Sequence, residues 1–472
     1  MKLTCLLSLA FVLLGSQPGL AQDGLIVNVD NPKFHKLVTA IPTFSLPPKA
    51  SAEEKQLASS GPAELKRLLE YTGLFAAMSE DAWEGLPMSG TRGSRSSGKS
   101  STTKGLEGID LLQWKGLGVE SLTLGAFERE KDGLSLTLRT ADIVRGQPLL
   151  AKKYTRVGTR ELPAIMRRYA DLILQAYTGR SGIFASRIAF VGRRFKGAEK
   201  QVFICDFDGS NLVQLTSNRG PHLSVQWSPD GRTLVYTSYE DGNPSVFIHD
   251  TTTGKKRKLV HSRGLSSGAS FAPNGKVIAY SSSENSNDGD VDLFTITPQG
   301  TNKRLMVQGR GLDVDPTFSP DGNYIAYVSG RFGNPHLFRG NLRWDADDKV
   351  SVTNELRLTY AGWYNVSPSF APQMDKMIFA GYDRQTDRWD IFIMNIDGTN
   401  MERLTMHIGD NERPSFAPNG QMIVFESNRV GAQNVKGQPQ IWVMSRDGSN
   451  QRPLNVGLWE ARTPVWSVNR AE

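Results

Sequence analysis

Two short stretches of this chain match motifs that carry chemistry. Gly93 to Ser100 reads GSRSSGKS, the spacing of a phosphate-cradling loop GxxxxGK[ST]. That loop works only where a buried strand leads in and a helix leads out, so that backbone N–H groups converge on the phosphates. Here LPMSGTR precedes and STTKGLEG follows, and the sequence predicts a Ser/Gly-rich loop over about residues 90–104 instead. Gly264 to Gly268 reads GLSSG and fits the nucleophile elbow GxSxG, which needs a strand-to-helix turn with an acid and a histidine later in the chain. The only later histidines are His336 and His407, both inside repeated strand units, and the residues after Trp466 are too few for a hydrolase domain. The six histidines show no HxH or HxxxH pairing that would chelate a metal. Asp313 and Asp315 precede an apolar strand, and if both face a central channel they are the candidate ligands of a cation such as calcium. No catalytic set can be assembled, and no other cofactor is implied.

The elements that position these groups are written as repeats. An aromatic residue opens a turn at Trp227, Phe271, Phe318, Phe370, Phe416 and Trp466, in WSPDG, FAPNG, FSPDG, FAPQM, FAPNG and WSVN. The intervals run from 44 to 52 residues, the length of a four-stranded propeller blade. Nine residues after each of the first five openers a second aromatic lies in an apolar strand, at Tyr236, Tyr280, Tyr327, Phe379 and Phe425. Pro-Asp-Gly and Pro-Asn-Gly corners close the first strand pair of each blade, since Pro presets the turn and Gly accepts its backbone. Gln373 and Met374 break that pattern, and the sequence predicts a different turn there. An orphan strand at Ile188-Ala189-Phe190 lacks an opener, while Trp466 lacks followers. The last strand is therefore expected to close a six-bladed ring by joining the blade begun near residue 183. Loops entering the inner strands then converge on one channel mouth, and they place His222, Ser266, Asp313, Asp315, Asn365, Asn411, Glu412, Arg413, Glu460 and Arg462 there as candidate partner-binding residues.

Residues 22–180 have a different texture. Strands are expected at 37–44, 121–128, 134–140 and 149–154, with a helix ending near Tyr71 and an amphipathic helix over 161–177 ended by Thr178-Gly179. This is an α/β domain ahead of an all-β propeller over 181–472. Lys2, the apolar run Leu3 to Leu14 and the Gly19-Leu20-Ala21 site predict a signal peptide over 1–21 and export. Without the leader Cys205 is the sole cysteine, which excludes an internal disulfide. The formal charge of +7 is dispersed apart from Arg92 to Lys104 and Lys255 to Lys258. Neither run suits nucleic acid in an exported chain, and a monomer is expected.

Taken together, the leader, the α/β domain, the six openers and the closing PVWSVN resemble the TolB family of the Tol–Pal system. The likeness is densest in Arg187 to Phe190, Asp206 to Asn211 and QWSPDGRTLVYTS from Gln226. It implies a periplasmic, non-enzymatic scaffold that binds the lipoprotein Pal at the channel mouth and the inner-membrane protein TolA through its mature N-terminal segment, supporting outer-membrane integrity and constriction at division. That segment is Gln22, Asp23, Gly24, Leu25, Ile26, Val27, Asn28, Val29, Asp30 and Asn31, whose alternation suits strand addition to a partner sheet. Two other classes remain open. One is an exported hydrolase or lyase acting in the channel, and the other a lectin using Trp363, Tyr364 and Trp459.

Overall fold

A computed structural model describes residues 35–83, 109–262, 264–285, 289–406, 409–430 and 437–470. The expected leader, the segment Gln22 to Asn31 and the stretch 90–104 lie outside them.

The N-terminal domain is a five-stranded sheet built from β1 (Leu37–Ala40), β2 (Phe75–Ala77), β3 (Ser121–Glu130), β4 (Gly133–Asp142) and β5 (Gln147–Tyr154), in the order β2-β1-β3-β4-β5. Two helices, α1 (Ala52–Tyr71) and α3 (Leu162–Thr178), cover it, and the short α2 (Leu111–Gly116) leads into β3. Ser51 starts α1 through a capping box with Glu54, and Gly179 ends α3 at φ 67°. Leu65, Leu68 and Leu69 of α1 and Ile165, Met166, Tyr169 and Ile173 of α3 bury the apolar stripes against Leu136 and Leu138 of the sheet. β2 and α2 were invisible to pattern reading, being too short to show a period.

The propeller has six four-stranded blades. Their inner strands are His222–Trp227, Ser266–Phe271, Asp313–Phe318, Tyr364–Phe370, Asn411–Phe416 and Glu460–Trp466, numbered here as blades one to six. In blade six the C-terminal strand pairs with Arg187–Arg193, at Glu460↔Arg193 and Trp466↔Ile188, and the ring is shut as expected. Second-strand and third-strand aromatics pair across each blade. In five blades these rings stack with centroids 5.5–6.2 Å apart. A cation caps most of the pairs: Arg194 over Phe203, Lys256 over Phe247, Arg331 over Phe338, Arg403 over Phe392 and Arg429 over Trp442.

The expectation for blade four's turn is corrected. Met374 sits at φ 62°, where its counterparts Gly231, Gly275, Gly322 and Gly420 have φ from 64° to 73°. Its N–H reaches Ala371 O at 3.0 Å, as Gly231 N–H reaches Ser228 O at 2.8 Å. The fold enforces the same left-handed turn on a residue that disfavours it, because the strands on either side keep the same spacing.

Candidate functional site: the propeller channel and its mouth

Every inner strand carries an irregularity at the same place. Ser224, Gly268, Asp315, Ser367, Arg413 and Thr463 all have φ between 43° and 61°, and each strand shifts register against its neighbour there. These are β-bulges, which re-aim side chains and free the following residue from ladder pairing. In four blades that following residue is proline: Pro316, Pro368, Pro414 and Pro464. The six bulges line the channel together with the residues after them. The available signal was a proline two residues before the opening aromatic, and besides Asp315 and Arg413 it would have named Ser367 and Thr463, whereas Ser224 and Gly268, followed by Val225 and Ala269, carry no such mark.

The bulges bring Asp315 and Arg413 together across the channel, Arg413 Nη1 to Asp315 Oδ2 at 3.0 Å, joining blade three to blade five. Arg413 lies deep in the molecule, yet its side chain keeps 36% of its surface open to channel space. The Asp315 carboxylate raises the guanidinium's already high pKa. Asp313 does not share the channel with Asp315. It is buried in blade three facing Arg331 at 3.4 Å, and burial pushes its carboxyl above the usual range. The pair is thus split between two arginines, and among the described residues no three His, Cys, Asp or Glu side chains converge as a metal site.

Six of the ten candidate mouth residues are buried. His222, Ser266, Asp313, Asn365, Asn411 and Glu460 are at most 8% exposed. They lie at the first or second position of the inner strands and tie those strands down. His222 Nδ1 meets the Gly220 carbonyl at 3.2 Å, and Ser266 and Ser282 share a hydrogen bond of 3.2 Å. Asn365 donates to Ala361 O at 2.9 Å, while Asn411 accepts from Ser427 at 2.9 Å. Glu460 takes Arg193 at 3.0 Å and Arg462 at 2.5 Å. These six, expected in the loops entering the inner strands, lie instead in the strands' first ladder positions and brace them, since a strand start reads like a loop when only its polarity is visible.

Glu412 and Arg462 complete a charged group between blades five and six. Arg462 Nη1 meets Glu426 at 3.2 Å, and the Thr463 N–H donates to the other Glu426 oxygen at 2.7 Å. Glu412 stands opposite Glu426 in the ladder. Burial first, and then the Glu426 charge, push the Glu412 carboxyl up to about 7.

The face on which the inner strands begin also carries exposed apolar side chains that sequence reading passed over. Phe195, Leu312, Phe332, Tyr360, Met406 and Val430 are 42–72% exposed, and all sit in segments at the ends where inner strands begin. The N-terminal domain occupies the opposite face. Tyr71 Oη donates to Phe207 O at 2.8 Å, Arg67 meets Asp208 at 2.9 Å and Arg167 meets Asp206 at 2.8 Å, all at the far turn of blade six. Trp459 belongs to blade six, away from the Trp363–Tyr364 contact of blade four.

The TolB beta propeller domain family matches residues 174–470. The chain belongs to the TolB propeller family. Curated TolB relatives include the Tol-Pal system protein TolB of Desulfosudis oleivorans, 32% identical over 220 residues covering 47% of each chain. The Tol-Pal system protein TolB of Syntrophus aciditrophicus is 29% identical over 222 residues, 47% of this chain and 46% of its own. The chain thus spans about half the length of these curated relatives in its matches. The crystal structure of TolB from Acinetobacter baumannii superposes with a TM-score of 0.71 over 92% of this chain and 97% of that one, at 24% identity, which establishes the shared TolB fold.

Proposed function

We propose that this TolB-family chain is a component of the Tol–Pal system, a periplasmic scaffold without catalysis that binds Pal at the channel mouth and TolA through Gln22 to Asn31. In that role it links the energised inner membrane to the outer envelope during maintenance and constriction. The observation that carries the reading is the set of six exposed apolar side chains in the mouth segments, on the face that the N-terminal domain leaves open. Soluble monomers rarely gather large apolar groups without a partner for them. Polar and charged groups inside the mouth, among them Arg413, Asp315 and Arg462, add direction to such a contact. The names of the relatives point to the same system. No helix among the described residues is long and apolar enough to cross a membrane.

The test is calorimetry with the periplasmic domain of Pal from the same organism. Saturable one-to-one binding is expected, weakened at least tenfold by Phe332→Ser with Val430→Ser and unaffected by Met401→Ser on the opposite face. Removal of residues 22–31 should abolish TolA binding and leave Pal binding in place. Absence of Pal binding would end the scaffold reading.

A further inference from the structure

Blade four departs from its neighbours at the mouth. In the other blades the hairpin between second and third strands ends its pairing at Ser238↔Ser245, Ser282↔Asp292, Ser329↔His336, Ser427↔Gln440 and Gly192↔Gln201. The equivalent pair in blade four is Gly381↔Asp390, and two more follow, Tyr382↔Trp389 and Asp383↔Arg388. The paired ladder of this hairpin therefore runs about 7 Å further than in the other blades.

That extension carries aromatic rings on one side. Tyr364 pairs with Tyr382 and Tyr382 with Trp389, so the three share a face across three adjacent strands. Their ring centroids lie 5.4–6.4 Å apart, and Trp363 meets Tyr364 edge-on at 6.1 Å. Arg384 lies over Trp363 at 4.5 Å. The four rings are only half-buried. The Tyr382 hydroxyl donates to the exposed Asp387, while the indole N–H groups of Trp363 and Trp389 and the hydroxyl of Tyr364 have no hydrogen-bond partner among the described residues.

The lining of this recess decides what it suits. Trp363, Tyr364, Tyr382, Arg384 and Trp389 form it, with no aliphatic side chain among them. A protein anchor site would mix rings with Leu, Ile or Met to fill an irregular surface. A row of π faces bordered by N–H and O–H donors, a carboxylate and a guanidinium instead complements a molecule with flat C–H faces and a rim of hydroxyls. Strands about 4.8 Å apart make the row roughly 10 Å long, enough for about two sugar rings. A β-linked chain, whose successive rings lie in one flat ribbon, fits a straight row better than a coiled α-linked one.

We propose that the blade-four recess is a carbohydrate site that seats a β-linked, uncharged glycan on Tyr364, Tyr382 and Trp389, with Asp387 and Arg384 holding its hydroxyls. The site does not depend on the Tol–Pal reading, because it uses none of the six exposed mouth residues that carry that reading.

The experiment titrates the purified full chain with chitotetraose and cellotetraose, followed by tryptophan fluorescence and calorimetry. Saturable binding of at least one is expected, weakened tenfold or more by Trp389→Ala and by Trp363→Ala, with melting temperatures unchanged. Asp387→Asn should weaken it as well and keeps the test open if an aromatic variant misfolds. No saturable binding of either sugar at millimolar concentration overturns the proposal. Binding that survives Trp389→Ala and Asp387→Asn overturns it too. If neither sugar binds and Trp389→Ala weakens Pal instead, the recess is part of a protein surface and the carbohydrate assignment falls, with the scaffold reading intact.

Discussion

Glu412 is the residue whose chemistry departs most from its counterparts. The ladder pairs at the same place in blades three and four are Val314↔Val328 and Val366↔Ala380, whereas blade five sets Glu412 against Glu426. Two carboxylates facing each other across a ladder repel, so one must hold a proton or find a cation. Glu426 has Arg462 and the Thr463 N–H, which leaves the proton to Glu412. The groups facing Glu412 are Glu426, Arg413, Asp410 and Arg462, the first and third opposing its charge and the other two favouring it. Its pKa is raised to about 7 in the folded state, so the fold prefers the neutral form. The stability it contributes is complete below the ordinary glutamate range and is lost as pH rises through about 7. Glu412→Gln should therefore match the parent at pH 5 and exceed it at pH 8, by up to about 3 kcal/mol, in urea unfolding at the two pH values. An equal effect at both would mean that Glu412 is ionised in the fold throughout.

At the scale of strands, closure of the ring rests on Trp466. Its indole N–H donates to Ser186 Oγ at 2.7 Å, its backbone pairs with Ile188, and its ring is buried in the core that also holds Phe184 and Phe207. Trp466→Ala should cost about 3–5 kcal/mol in chemical denaturation and promote association through the loosened edge, whereas Ser186→Ala should cost only about 1 kcal/mol. Equal and small losses would show that the edge strands hold without this ring. This closure was legible beforehand because the opener without followers and the strand without an opener are both patterns of residue type. The blades were legible for the same reason, through aromatics nine residues apart. The bulges were not, because a positive φ at Ser224, Ser367 or Thr463 leaves no mark in residue type, and only the latter two have a proline behind them. Nor was the bracing by His222, Asn365 and Asn411, where a polar residue at a strand start reads the same whether it meets solvent or a neighbouring strand. Met374 shows the limit from the other side, since its sequence argued for a new turn and the flanking strands overrode it.

For the whole molecule, the question is how two domains on a short linker act as one body. Apolar side chains from both, including Leu69 and Tyr177 of the first and Phe184, Phe207 and Leu454 of the propeller, belong to one buried cluster. Interdomain contacts of that kind restrict the relative motion that small polar interfaces allow. Asp171 of α3 fastens the linker to this core. Its Oδ1 accepts the N–H groups of Ile183 and Phe184 at 2.9 and 3.1 Å, and its Oδ2 accepts Asn469 Nδ2 at 3.0 Å, so one carboxylate holds the propeller's entry and its exit. A Cβ at Gly182 would meet Asp171 Oδ1 at 1.7 Å, so the linker can pass this close only as glycine. Asp171→Ala strands two backbone donors and an amide in a buried place, which costs about 2–3 kcal/mol. The parent should unfold in one cooperative transition. The variant should begin to melt earlier and be cleaved between residues 179 and 186 by a protease that spares the parent, with Pal binding at the far face retained. Loss of Pal binding in a variant whose propeller still melts at the parental temperature would mean that domain docking on one face controls the mouth on the other, and the shared core would then be the route by which an event at the N-terminal domain is felt there.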